Sequence, residues 1–258
     1  MSENLKVILV IPVYNHRKTL RGVVVKALEA GAGVMVIDDG STDGGLETIS
    51  GLDLTVIRHP ENKGKGEAIL SAAKEAGRLG MTHMVTLDAD GQHDPADFSR
   101  FIPVIQENPQ VLVIGTRIFD QNAPLLSRFG RSFSNFWFRV QTGRSLQDTQ
   151  SGFRAYPIDV LNWLKLHDRR FSFEVEVLVK AAWAGIEFKE VDISVHYPVS
   201  GERISHFHLF KDNLALTMLN TRLTLRALVP FPHKQFPAVK DNSEKNTAFL
   251  SLKKGKRD

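Results

Sequence analysis

The sequence predicts an α/β fold: a mostly parallel central sheet covered by helices on both faces. Three features point to it. Through the first half, short runs dense in Val, Ile and Leu alternate with longer stretches whose apolar residues recur at helical spacing. The short runs are apolar almost throughout, which marks strands buried on both faces. The helical stretches lie between them, so successive strands are joined by right-handed crossovers and run parallel.

Residues 7–11 read as the first strand, and residues 18–30 as a helix that turns Leu20, Val23, Val24, Ala27 and Leu28 inward. A second strand follows at 34–37. The stretches 46–50, 54–57, 66–79, 83–87, 96–108 and 111–115 continue the alternation. In such sheets ligands bind outside the carboxyl ends of the strands, so a site is to be sought there.

Pro12-Val13-Tyr14-Asn15-His16 closes the first strand. The proline ends ladder donation, and Tyr14 offers a ring and a hydroxyl, suited equally to a base or ribose and to packing at the rim. The second strand runs into Asp38-Asp39-Gly40-Ser41-Thr42-Asp43. Adjacent carboxylates repel, so at least one needs a ligand or a turn N–H as partner. Asp39 is assigned to a ligand, as acceptor for a base imino N–H, whereas Ser41, Thr42 and Asp43 also suit a structural turn. Asn62-Lys63-Gly64-Lys65-Gly66 opens the next helix with free N–H groups and lysines that favour anions, though without Walker spacing.

The fourth strand ends in Asp88-Ala89-Asp90-Gly91-Gln92-His93-Asp94-Pro95. Residues i and i+2 of a strand share a side, so Asp88 and Asp90 converge on one point and Gln92 adds a neutral oxygen. Hard cations take oxygen ligands, and Mg²⁺ typically uses one or two carboxylates together with substrate phosphates. A cation held by Asp88, Asp90 and Gln92 is the chemical reading. A strand-end turn with Asp94 as N-cap and Pro95 as first helical residue is the structural one.

In the second half, Arg117 follows the strand at 111–115, and residues 119–144 carry Leu125, Leu126, Phe129, Phe133, Phe136, Trp137, Phe138 and Val140. Burial against the sheet is the default for such a stripe, and a helix that covers the site and meets an apolar acceptor is the alternative. Arg128 and Arg131, on the same stretch, suit phosphate. In Asp148-Thr149-Gln150-Ser151-Gly152-Phe153-Arg154, Gly152 permits close packing and Arg154 supplies a planar fork for a diphosphate or a carboxylate, Asp148 among them. A helix over 171–184 sets Glu174 and Glu176 about 200° apart, so only one can face the site. A strand at 186–195 precedes the loop 196–207, which holds Gly201, Arg203 and His206. Residues 209–229 are apolar at helical spacing but carry Arg222 and Arg226, whereas a span needs about 20 mainly uncharged residues, so no transmembrane segment is expected. That helix packs on the domain or lies in a membrane interface.

At 258 residues with 42% hydrophobic content the chain can bury a full core. It has no cysteine, which excludes disulfides, thiolate metal sites and cysteine nucleophiles. No basic region followed by a long apolar core opens the chain, so a cytosolic site of action is expected. Of 33 basic and 29 acidic residues, seven and three fall in 233–258, so that tail holds the whole excess of +4. The remainder is neutral, which argues against nucleic-acid binding. Such a tail is a solvated, disordered end, or is drawn to an anionic membrane surface.

Four motifs stand in order, each at its own strand end: Pro-Val-Tyr-Asn at 12–15, Asp-Asp-Gly-Ser-Thr-Asp at 38–43, Asn-Lys-Gly-Lys-Gly at 62–66 and Asp-Ala-Asp-Gly-Gln-His-Asp-Pro at 88–95. The set resembles glycosyltransferase family 2, and within it the dolichyl- or polyprenyl-phosphate mannose and glucose synthases, over about the first 200 residues. The resemblance implies a Rossmann-like GT-A fold, a GDP- or UDP-sugar donor, a lipid-phosphate acceptor and an inverting transfer assisted by Mg²⁺ or Mn²⁺. It implies donor binding by Pro12, Tyr14, Asn15, Asp39, Lys65, Asp88, Ala89, Asp90, Arg117, Ser151, Arg154 and Arg203. It implies metal binding by Asp88, Asp90 and Gln92, with Asp90, Glu176 and Arg203 in the catalytic roles. Glu176 is a general base if the acceptor is a hydroxyl; with a phosphate acceptor it holds an arginine or the acceptor. The family often has Glu where this chain has His16, which bears on base or ribose recognition. The expected organisation is a GT-A domain over 1–206, an amphipathic and membrane-interfacial helix over 207–232, and the basic tail over 233–258, with a homo-oligomer left open. Transfer to a soluble glycan hydroxyl and non-catalytic nucleotide-sugar binding are the rival functions.

Overall fold

β1 (Val7–Val13) lies inside the sheet and pairs in parallel on both sides, with β2 (Gly33–Asp38) from Ile8–Gly33 to Val13–Asp38, and with β4 (His83–Thr86) from Val7–His83 to Val10–Thr86. β3 (Thr55–Arg58) extends the β2 edge, also in parallel. On the far side β5 (Leu112–Arg117) runs parallel to β7 (Phe188–Ile193). Between β4 and β5 sits β6 (Arg154–Pro157), antiparallel to both, giving the order β3-β2-β1-β4-β6-β5-β7. The structure, a computed structural model, describes residues 5–119, 125–170, 172–196, 209–229 and 232–237.

Strand side chains alternate between two layers. Ile8, Val10, Met35, Ile37, Met84 and Tyr156 enter one, under α2 (Lys65–Arg78), α5 (Ile158–Trp163) and α6 (Phe173–Trp183). Leu9, Ile11, Val34, Val36 and Val85 enter the other, under α1 (Arg17–Glu29) and α3 (Phe98–Glu107). α2 meets the sheet through Ala68, Ala72, Ala73 and Ala76, a face small enough for close approach. Each fully buried Leu, Ile, Val or Met contributes about 1.5–3 kcal/mol.

The mostly parallel sheet with helices on both faces is as expected; three features are not. β6 and α5 fall in a stretch with no strand or helix expectation, and β6 makes the sheet mixed. α4 (Leu125–Thr142) buries Phe138, but Phe129, Phe133 and Phe136 are exposed, so the default of an aromatic stripe packed on the sheet is wrong. α7 (Leu209–Leu228) puts Leu219 and Leu223 into the first layer, the domain-packing alternative of its two expected placements. Of the expected disordered tail, residues 233–237 pack on the domain. His233 stacks on Trp183, Phe236 meets Trp163 edge-on, and Phe236 N–H donates to the Ala184 carbonyl. Among the described residues no helix is long and apolar enough to cross a membrane.

Candidate functional site

Parallel β1, β2 and β4 end at one edge of the sheet, and antiparallel β6 starts there, with Arg154 opposite Thr86. The segments after β1, β2, β3 and β4 therefore meet the segment 147–153 that leads into β6. The Thr86 hydroxyl donates to the Gly152 carbonyl (2.7 Å) and fixes that approach.

Asp39 braces this edge. Its carboxylate accepts His59 Nδ1–H (2.7 Å), Lys63 N–H (2.9 Å) and Gly64 N–H (2.7 Å), so the loop before α2 is wrapped around it. Gly64 has φ 98°, a left-handed conformation that disfavours any side chain. Asp39 is 3% exposed and spends its acceptors inside the protein, where a contact to a base had been expected. Asn15, itself at φ 54°, takes Thr42 N–H on its side-chain oxygen and donates its own N–H to Ser41 Oγ, tying the end of β1 to that of β2. Pro12 and Ala89 are buried, and Tyr14 is half-buried at the end of β1.

The centre of the site is a lysine between two carboxylates. Lys65 Nζ lies 2.6 Å from Asp88 Oδ1 and 2.6 Å from Glu174 Oε1. Burial opposes charge on Lys65, but Asp88 and Glu174 outweigh it and raise its pKa. For Asp88, burial favours the neutral acid, yet Lys65 holds its pKa below the usual carboxylate value. Asp90 goes the other way: burial, and then the charge of Asp88, raise its pKa, while the N–H of Gln92 opposes this at 2.9 Å. Two carboxylates that feel each other in a poorly hydrated pocket are the arrangement a divalent cation relieves. His93, buried beside them, is held below the ordinary histidine pKa by burial and by Arg117, despite Asp88 and Asp90. Gly152 completes the pocket. A Cβ there would stand 2.5 Å from Asp88 Oδ2 and 2.9 Å from Lys65 Nζ.

Glu174, not Glu176, faces this centre, which corrects the choice between the two. Glu176 accepts the N–H groups of His167 and Asp168 (both 2.8 Å) and pairs with Lys180 (2.7 Å) and Arg222 (3.3 Å), so of its two expected roles it holds an arginine. Arg154 is also placed differently. It is wholly buried and donates to the carbonyls of Ser151, Glu174 and Thr149, so its fork shapes the loop from within and presents nothing to a diphosphate. Ser151 is buried under the same loop. Arg117 grips Asp148 in a two-pronged pair (2.6 and 2.8 Å). Arg203, Gly201 and His206 lie outside the described residues.

Beyond Arg117 a cleft of about 680 Å³ opens, lined by Arg117, Phe119, Arg128, Arg131 and Asn135 among others, with Asp192 on its wall. Arg131 lies over the Phe119 ring at 3.7 Å and reaches Asp148 at 3.7 Å. Arg117, Arg128 and Arg131 bring three guanidinium groups to this cleft, with Asp148 and Asp192 beside them. Gln147 lines the cleft and Gly152 touches Asp88, so one short segment joins the two halves of the site. Glu174 and the arginine cleft are what sequence reasoning missed as a unit. A Glu two residues from Glu176 was visible, but the side of α6 that faces Lys65 was not.

The sequence profile of the family described as Glycosyl transferase family 2 matches residues 8–161. A UDP-N-acetylglucosamine–dolichyl-phosphate N-acetylglucosaminyltransferase of Methanococcus voltae is 30% identical over 213 residues, 73% of this chain and 85% of that protein. A polyprenol monophosphomannose synthase of Mycolicibacterium smegmatis is 28% identical over 204 residues, 73% of this chain and 77% of its own. Among solved structures, glucosyl-3-phosphoglycerate synthase of Mycobacterium tuberculosis superposes with TM-score 0.66 at 16% identity, covering 88% of this chain and 82% of that one. The same enzyme with Mg²⁺ and uridine diphosphate gives TM-score 0.63 at 19% identity, over 87% and 79%.

Proposed function

Since this chain belongs to glycosyl transferase family 2 and has the GT-A fold, we propose that it moves a hexose, with inversion, from a GDP- or UDP-sugar to a polyprenyl phosphate or another lipid-linked acceptor at the cytosolic face of a membrane. The observation that carries this reading is the arginine cleft joined through residues 147–152 to the half-buried carboxylates Asp88 and Asp90. The lipid-phosphate acceptors named for the Methanococcus voltae and Mycolicibacterium smegmatis relatives support it.

Attack of an acceptor phosphate oxygen on the anomeric carbon forms one C–O bond while the bond to the nucleotide diphosphate breaks, and the electron pair leaves with the diphosphate. A phosphate is already an anion, so no base has to remove a proton. That agrees with Glu174 tied to Lys65 and Glu176 turned to Lys180 and Arg222. Lys65, at the N-terminus of α2, adds an ammonium to helix N–H groups that favour a diphosphate. The cleft arginines hold the acceptor phosphate.

Asp88 and Asp90 fit a divalent cation: the charge of one raises the pKa of the other, and Asp88 already holds a cation in the form of Lys65. Among the described residues no group of three His, Asp or Glu is placed to do so alone. Mg²⁺ held by one or two carboxylates usually takes substrate phosphates as further ligands, and the donor diphosphate would supply them. Mg²⁺ or Mn²⁺ held there, with Gln92 as a neutral oxygen ligand, supplies Lewis-acid neutralisation of the departing diphosphate.

The test offers radiolabelled UDP- and GDP-sugars with Mg²⁺ or Mn²⁺ to the purified protein, with a polyprenyl phosphate or a soluble glycan as acceptor. Label in the organic phase, dependent on metal, is expected. Label on the glycan alone would overturn the acceptor assignment, and nucleotide binding without donor cleavage would overturn the enzyme.

A further inference from the structure

α4 shows solvent the face that a helix of a globular domain hides. Leu125, Phe129, Phe133, Phe136 and Val140 are between 48% and 82% exposed. At about 100° per residue they fall within an arc of roughly 80°, so they form one stripe along the whole helix. Its charge is one-sided: the 27 residues between Asp120 and Asp148 hold Arg128, Arg131, Arg139 and Arg144 and no acid. Arg128 and Arg139 are exposed and flank the arc on one side. On the other side Gln141 donates to Asn220 (2.9 Å) and Thr224 (3.3 Å) of α7, whose outer surface exposes Met218, Leu225 and Leu228.

We infer that this face of α4, continued by α7, is the surface that docks on an anionic lipid leaflet. The inference rests on the lipid-acceptor reading and adds which face meets the bilayer. The apolar stripe enters the acyl region, and Arg128 and Arg139 take the headgroup phosphates. A second copy of the chain suits the face poorly, because a two-fold contact would bring the same arginines together with no acid on the stretch to meet them. An anionic leaflet supplies both the apolar phase and the opposite charge. Arg128 borders the stripe and also lines the arginine cleft. With α4 in the interface the cleft stands at headgroup depth, and a lipid phosphate reaches it while its chain stays in the membrane.

The chain has no cysteine, so a single one can carry an environment-sensitive fluorophore. The full chain is labelled at Phe136→Cys or at Lys18→Cys, an exposed position on α1, and mixed with vesicles of phosphatidylcholine alone or with phosphatidylglycerol. The label at 136 should shift to the blue and lose access to an aqueous quencher only with the anionic vesicles, while the label at 18 stays exposed. Phe129→Ser, Phe133→Ser and Phe136→Ser together should weaken vesicle partitioning by about 100-fold or more. They should leave transfer to a short, water-soluble prenyl phosphate unchanged. Sedimentation with vesicles while the label at 136 stays quenchable would overturn the inference in favour of another surface. Shielding that grows with protein concentration and needs no vesicles would overturn it in favour of a second copy. Shielding on anionic vesicles with no sugar transfer to either phosphate acceptor would leave the docking surface standing and sink the acceptor assignment instead.

Discussion

Lys65 occupies the carboxylate that the proposed metal requires, so replacing it with methionine should tighten metal binding even as it impairs transfer. At 2.6 Å and an effective dielectric of about 20, the Lys65–Asp88 attraction is about 6 kcal/mol before desolvation is counted. Losing one partner of a buried pair costs about 3–5 kcal/mol. Asp88, with its side chain 29% exposed, retains enough water to reduce the ammonium's hold to about 2 kcal/mol. A metal ion that no longer displaces the ammonium should then bind about 30-fold more tightly. The assay is titration with Mn²⁺ in the absence of nucleotide, following free Mn²⁺ by electron paramagnetic resonance. Near-UV circular dichroism establishes that Lys65→Met is folded, and Lys65→Arg, which keeps the competing cation, serves as reference. Adding a nucleoside diphosphate should shrink the gain, because the displaced lysine of the wild type then has an anion to meet. A folded Lys65→Met protein with unchanged or weaker affinity for Mn²⁺ would refute the idea that Lys65 competes for Asp88.

Asp90→Asn should abolish metal-dependent transfer yet raise Tm at neutral pH. A carboxyl whose folded pKa is raised is destabilising once ionised, and the amide removes that charge. Arg154→Met should act on stability, with a loss of about 3–5 kcal/mol by denaturant titration, because three carbonyls lose their donor; a raised donor KM in a protein of normal stability would contradict its placement. Glu176 carries a folded pKa below the ordinary value: burial alone would raise it, but Lys180 and two backbone N–H groups prevail. Its contribution is therefore fully present above the unfolded value of about 4.3 and is lost as pH falls through the folded one. Glu176→Gln should cost about 1–3 kcal/mol at pH 7 and progressively less in acid, as read from urea midpoints across pH.

The parallel core was legible because local pattern and burial agree there. Val7–Val13 and Gly33–Asp38 are apolar on both sides since both sides meet helices. β6 was not legible: four residues beginning with Arg and ending with Pro carry no periodicity, and only pairing with β4 and β5 makes them a strand. On α4 the periodicity was read but its sense stayed open between the sheet and an apolar acceptor, because a helical stripe looks the same whichever it faces. Only the exposure of Phe129, Phe133 and Phe136 decides against the sheet. In the site, strand alternation was the reason for pairing Asp88 with Asp90, yet β4 stops at Thr86 and both stand in the segment beyond it; the nearby glycines were read from close backbone approach. Arg154 and Glu176 were misplaced because a charged side chain has the same appearance in sequence whether it meets a ligand or the protein's own backbone.

The sequence by itself determined the alternation of parallel strands and helices through the first half, the carboxylates beyond β4 and the family, since each lies in contiguous residues and needs only local geometry to be read. Tertiary structure alone decided that Lys65 stands between Asp88 and Glu174, that Arg154 is spent on three carbonyls, and that Phe129, Phe133 and Phe136 of α4 are exposed. Those outcomes depend on which groups from distant segments arrive within about 3 Å of one another, where charge pairing and desolvation act and local pattern carries no information.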